Sequence, residues 1–127
     1  MIKRIPSTFS KSFSEVVVVD MGLVSTIYVS GHVGMDASGK VTAKTYDEEA
    51  RLCFDHVRKS LEKVGASMKD VVRITAYLTD LADYAGFAIA RGEAFPNDPP
   101  ASAAVQVSGL LVNARLEIDA IAVVKNK

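Results

Sequence analysis

The chain has 127 residues, 49% of them hydrophobic and 24% charged, and its fifteen basic and fifteen acidic side chains cancel to a formal net charge of zero. That length suits one hydrophobic core, hence a single domain over residues 1–127. The balanced charge argues against a nucleic-acid or membrane partner, which would need a basic face. Cys53 is the only cysteine, so neither an intrachain disulfide nor a cysteine metal cluster is available.

The N-terminal Met1-Ile2-Lys3-Arg4-Ile5-Pro6 carries charge with no long apolar stretch after it, so the cytoplasm is the expected location. One short strand could lie in this region. Val16 to Val19 is a β-branched run ended by Asp20-Met21-Gly22, which reads as strand and turn. Leu23 to Val29 reads as a second strand closed by Ser30-Gly31, and Asp36 to Lys40 has turn chemistry. Thr45 followed by Glu48 opens a helix whose apolar positions Ala50, Phe54, Val57, Leu61 and Val64 keep to one face, with Gly65 just past its end. Cys53 on this apolar face reads as an inert core thiol, and His56 as solvated.

Asp70 to Leu78 is a strand rich in Val, Ile, Thr and Tyr. Thr79-Asp80 starts a second helix that runs to Phe95 and is stopped by Pro96 and the Asn97-Asp98-Pro99-Pro100 cluster. Two strands close the chain, Ala103 to Val107 and Arg115 to Val124. Alternation along the last strand puts Arg115, Glu117 and Asp119 on one face and Leu116, Ile118 and Ala120 on the other. Acids in a core strand are costly unless paired or used. Glu117 is therefore a catalytic candidate, or else a structural acid paired with Arg115 or a neighbouring chain. Asp119 reads as a structural or interface acid.

The expected architecture is α+β, a mixed sheet with two helices packed on one face. The other face, with Thr26, Tyr28, Ala104 and Gln106, is too apolar to be left bare, so a homo-oligomer is expected to cover it. His32 follows Ser30-Gly31 and could titrate near neutral pH. No ligand spacing for a metal is present, so no metal is expected.

Several stretches, in order, resemble the Rid family, the YjgF/YER057c-type imine and enamine deaminases also described as endoribonuclease L-PSP-like. Val29-Ser30-Gly31-His32-Val33 is similar to the family's Ser-Gly-Gln-Ile stretch, and Tyr77-Leu78-Thr79-Asp80-Leu81 to its strand-to-helix junction. Gly92-Glu93-Ala94-Phe95 echoes Tyr-Glu-Ala-Phe, and Leu116-Glu117-Ile118-Asp119-Ala120-Ile121-Ala122 matches Ile-Glu-Ile-Glu-Ala-Ile-Ala without a gap.

The resemblance implies a chorismate mutase-like fold, a homotrimer with small-molecule clefts between subunits, and no cofactor. It implies that Glu117 positions the water that attacks a C=N carbon. Ser30, Gly31, Ser102, Ala103 and Val105 fall at positions that would line the substrate site. The chain departs from the family where Pro-Ala-Arg-Ser is usual: the arginine that grips the substrate carboxylate is replaced by Ser102. A serine hydroxyl cannot replace a bidentate ion contact. The family's glycine-proline-tyrosine stretch has no clear match, although Phe9 or Phe13 could fill its volume, and the second helix lacks an asparagine. The sequence thus implies a small-molecule-binding protein with a deaminase-type cleft, inactive on ordinary 2-imino acids. The alternative is a non-catalytic ligand-binding or protein-interaction trimer.

Overall fold

The computed structural model describes residues 1–127. The strands are β1 (Ile2–Pro6), β2 (Ser14–Asp20), β3 (Val24–Val33), β4 (Val71–Leu78), β5 (Ala101–Gln106) and β6 (Leu116–Lys125); the helices are α1 (Tyr46–Glu62) and α2 (Tyr84–Ala94). They form one six-stranded sheet in the order β1-β2-β3-β6-β4-β5. Only the β4–β5 pair is parallel, so the sheet is mixed and β6 lies inside it.

α1 starts as its sequence predicts. The Thr45 hydroxyl accepts the Glu48 N–H at 3.2 Å, and Asp47, Glu48 and Glu49 occupy the first turn, where the helix dipole favours acids. Its buried stripe of Ala50, Cys53, Phe54, Val57 and Leu61 packs against Val16, Ile27, Ile74 and Ile118 from the sheet. Gly65 takes a φ of +77°, the left-handed conformation a helix end favours. α2 adds Phe87 and Ala90 to the same core, with Phe87 stacked 6.2 Å from the Phe54 ring. It begins later than Thr79-Asp80 would suggest, after a single tight turn over Leu81–Asp83 that Asp80 caps through the Ala82 N–H.

Two expectations change here. Ser30-Gly31 does not close β3. The strand continues to Val33, and the extra residue is absorbed as a bulge between Val29 and His32, opposite Ala120 and Ile118 of β6. Ala104 and Gln106 do not lie on the bare face. Their partners in β4 are the fully buried Ala76 and Leu78, so both point to the helix side, and the Gln106 amide oxygen accepts the Leu81 N–H. The bare face instead carries Val17, Val19, Thr26, Tyr28, Ile121 and Val105, with Tyr28 and Val105 exposed. No helix is long and apolar enough to cross a membrane.

Candidate functional site

The last strand alternates as its sequence implies: Leu116, Ile118, Ala120 and Ala122 are buried beneath the helices, while Glu117 and Asp119 point the other way. Arg115, just before the strand, does not pair with Glu117. It turns to Glu49 of α1, which is fully buried and accepts the Arg115 backbone N–H at 2.7 Å and its Nε–H at 2.6 Å. The Arg115 guanidinium also donates to the Ala43 carbonyl and lies 5.7 Å from the Tyr46 ring centre. This buried pair has no local sequence signal, because its members are 66 positions apart.

Glu117 is left without a hydrogen-bond or ion-pair partner, half-buried, and burial together with the charge of Asp119 pushes its pKa upward. Asp119 is engaged: the Tyr77 hydroxyl donates to it at 3.1 Å. Glu117 lies so close beneath the bulge that a Cβ on Gly31 would stand 2.5 Å from its Oε2, so any larger residue there would push the Glu117 carboxylate aside. The two residues line a cleft of about 480 Å³ with Ser30, His32, Phe9 and Phe13. That volume suits a small ligand. Leu111 and Val112 form part of its rim, and Val112 holds a φ of +53°, a left-handed conformation that a β-branched residue adopts only under strain.

The polar groups here are already oriented. Ser30 donates its hydroxyl proton to the Ser14 carbonyl at 2.6 Å. His32 turns its Nε2 to the Ser60 hydroxyl at 2.8 Å, and Ser60 donates to Oε2 of Glu15 at 2.5 Å. Lys63 closes the network on Oε1 of Glu15 at 2.8 Å. Burial works to raise the pKa of Glu15, but the hydrogen bonds from Lys63 and Ser60 outweigh it and hold the carboxyl below its usual range. Burial, with the His56 ring 5.7 Å away, pushes the His32 pKa down to about 4, so the ring is neutral at pH 7 and does not titrate near neutrality. His56 is half-buried rather than solvated, with its Nε2 2.7 Å from the Met35 carbonyl oxygen. Cys53 is fully buried and burial pushes its thiol pKa up, which makes it inert.

Of the six site residues expected from sequence, Ser30, Gly31 and Glu117 therefore come together in one cleft. Ser102, Ala103 and Val105 do not line it within one chain. Val105 shares a cross-strand row with Tyr77 and Glu117 but sits two strands from β6, about 10 Å away by ladder spacing. Ser102 pairs with the buried Ile74, which turns it to the helix side. There its hydroxyl accepts from Arg91 of α2 at 3.0 Å, while the same guanidinium donates to the Tyr84 hydroxyl and lies 5.0 Å from the Phe87 ring centre.

A family model described as Endoribonuclease L-PSP matches residues 5–124. A goat (Capra hircus) protein named 2-iminobutanoate/2-iminopropanoate deaminase is 35% identical, with 97% of this chain and 91% of that protein covered. Among solved structures, yeast Mmf1 superposes with a TM-score of 0.88 at 25% identity, covering 98% of this chain and all of that one. RidA from the Antarctic bacterium Psychrobacter superposes with a TM-score of 0.80 at 29% identity, covering 95% and 94%. With β2 to β5, both helices and all but the last residue of the Glu117 strand inside the matched span, this chain belongs to the endoribonuclease L-PSP family, also called the YjgF or Rid family.

Proposed function

We propose that this protein hydrolyses C=N bonds, as an imine or enamine deaminase-type enzyme, and that its substrate is not an ordinary 2-imino acid. The observation that carries the reading is Glu117, a half-buried carboxylate with a raised pKa and no partner, in a cleft sized for a small molecule. As a base it takes a proton from water while the oxygen bonds to the C=N carbon and the π pair moves to nitrogen. Glu117 returns its proton to the adduct nitrogen and then relays the hydroxyl proton to the same nitrogen as the C=O bond forms, so that the C–N bond breaks and ammonia leaves. One water is consumed, and a carbonyl compound and ammonia are the products.

Two features support exclusion of 2-imino acids. No lysine or arginine lines the cleft, and Ser102, at the position where relatives carry the carboxylate-gripping arginine, already accepts from Arg91. Losing a bidentate contact to a desolvated carboxylate costs several kcal/mol, on the order of a thousandfold in affinity. The site is completed in a homotrimer: the family resemblance suggests three copies, and the apolar bare face of Val17, Val19, Tyr28 and Val105 gives each copy something to bury. Ser102, Ala103 and Val105 would then meet the cleft from a neighbouring subunit.

The test is a pair of substrates generated in situ, 2-iminopropanoate and a ketimine without a carboxylate. Acceleration of the ketimine alone is expected. Acceleration of 2-iminopropanoate that is lost in Glu117→Ala contradicts the specificity, and its further loss in Arg91→Ala would locate the carboxylate grip on α2. No turnover of either favours the non-catalytic binding trimer.

A further inference from the structure

His32 and His56 are the only histidines of the chain, and the fold brings them together from β3 and α1. His32 pairs with the buried Ile118, which turns it to the helix side of the sheet, away from Glu117. There the two ring centres stand 5.7 Å apart, with 34° between the planes. Both residues line one cavity of about 640 Å³, with Met35 and Asp36 in the same wall.

Each ring has its Nε2 engaged, and the partners fix the tautomer. A backbone carbonyl can only accept, so His56 donates from Nε2 to Met35 at 2.7 Å. The Ser60 hydroxyl has one proton and gives it to the Glu15 carboxylate. It must therefore accept from His32, which also donates from Nε2. A neutral imidazole carries one N–H, which leaves both Nδ1 atoms with a lone pair. No group of the chain donates to either. The Tyr46 hydroxyl oxygen is the only buried side-chain nitrogen or oxygen without a partner, so both Nδ1 atoms are open to solvent.

We infer that His32 and His56 form a two-imidazole site for a late first-row transition-metal ion, Cu²⁺ bound most tightly, held through the two Nδ1 atoms and completed by water. Two imidazoles that share one ion at about 2.0–2.1 Å per nitrogen hold their ring centres roughly 5–6 Å apart, which the observed 5.7 Å fits. Metal-ligating histidines characteristically donate their other ring N–H to a carboxylate or a backbone carbonyl. Here Met35 supplies the carbonyl directly and Glu15 the carboxylate through Ser60. Imidazole suits copper, zinc and nickel rather than magnesium or calcium, and copper heads the affinity order. The two lysines in the wall are already answered, Lys63 by Glu15 at 2.8 Å and Lys59 by Asp55 at 3.1 Å. No third histidine, cysteine or carboxylate completes the set, so the ion keeps open positions. Sequence spacing gives no sign of such a site, because its ligands come from separate elements. Neither histidine takes a step in the proposed hydrolysis, so the site stands or falls apart from it.

Calorimetric titration of the full chain at pH 7.5 with Cu²⁺, supplied as its glycine complex, tests the site beside His32→Gln, His56→Gln and the double variant. One ion per chain is expected, with a loss of roughly tenfold or more in affinity in each single variant and no comparable binding in the double variant. Mg²⁺ is expected not to bind. Absence of Cu²⁺ binding, wild-type affinity in the double variant, or dependence on one histidine alone overturns the inference. A second measurement needs no variant. In the ¹⁵N spectrum of the wild type, both histidines should be Nε2–H tautomers, and Zn²⁺ should shift the two Nδ1 resonances together in a one-to-one titration. An Nδ1–H tautomer in either ring, or a shift confined to one ring, contradicts it.

Discussion

Two regions at the start of β6 treat a carboxylate in opposite ways. On the helix side, Glu49 is fully buried and its charge is answered by the Arg115 N–H and guanidinium, while Gly34, whose missing side chain leaves room for the Glu49 stem and backbone, lets it sit there. On the other side, Glu117 is half-buried with the Asp119 carboxylate nearby and no cation. Both are acids in places that disfavour charge. The difference between them is satisfaction. A satisfied buried acid fastens a loop, whereas an unsatisfied one is left free to meet a ligand.

The sharpest way to break this contrast is to remove the satisfied acid. Glu49→Ala leaves the Arg115 N–H and guanidinium without their acceptor. Because Arg115 keeps some access to water, the expected loss is about 3 kcal/mol, the low end for breaking a buried pair, measured by urea unfolding. A change below 1 kcal/mol would mean the pair is not structural. Next, Ser60→Ala removes the hydroxyl between His32 and Glu15 and should cost about 1–3 kcal/mol for the groups left unsatisfied. It should also mix the His32 tautomers in the ¹⁵N spectrum, which a packing effect alone would not do. Gly31→Ala sets a methyl against the flexible end of the Glu117 side chain, which must move aside, so it should cost only about 1 kcal/mol in stability while lowering the rate of ketimine hydrolysis. An unchanged rate would show that Glu117 need not sit under the bulge.

The smallest effect is on stability in Glu117→Gln, and here the sign is informative. The folded chain holds the Glu117 proton more tightly than the unfolded chain does. Stability is therefore lost as pH rises from the ordinary carboxyl range through the folded pKa, and stays lost above it. Glu117→Gln should thus be slightly more stable than wild type at pH 7, with the gain disappearing toward about pH 4. His32 acts with the opposite slope: its folded pKa of about 4 lies below the ordinary 6.5, so stability falls as pH drops from about 6.5 to about 4. Melting curves of the two proteins across that range separate the contributions.

Local rules reached far into this fold. The Thr45 cap, the α1 stripe, Gly65 and the in–out alternation from Leu116 to Ala122 depend on neighbours within a few residues, and all appear where the sequence puts them. What it could not reach depends on pairing between distant segments. Ser30-Gly31 reads as a turn because Ser and Gly favour turns, yet β6 pairs beyond it and forces a bulge. Ala104 and Gln106 change faces because the parallel register with β4 sets their direction, and no local pattern encodes that register. Within the site, Glu117 was visible as an acid in an apolar strand. The assignment of Arg115 to Glu49, the Glu15–Ser60–His32 chain and the reach of Arg91 to Ser102 join residues too far apart in sequence to be read along it.

The measurement that tests the account most directly is the steady-state rate of hydrolysis of a carboxylate-free ketimine by wild type and by Glu117→Gln, at matched folded concentration. A wild-type rate above background that falls roughly 10²–10⁴-fold in the variant, the usual contribution of a general base, is the predicted result. Equal rates for the two proteins would contradict a catalytic role for Glu117.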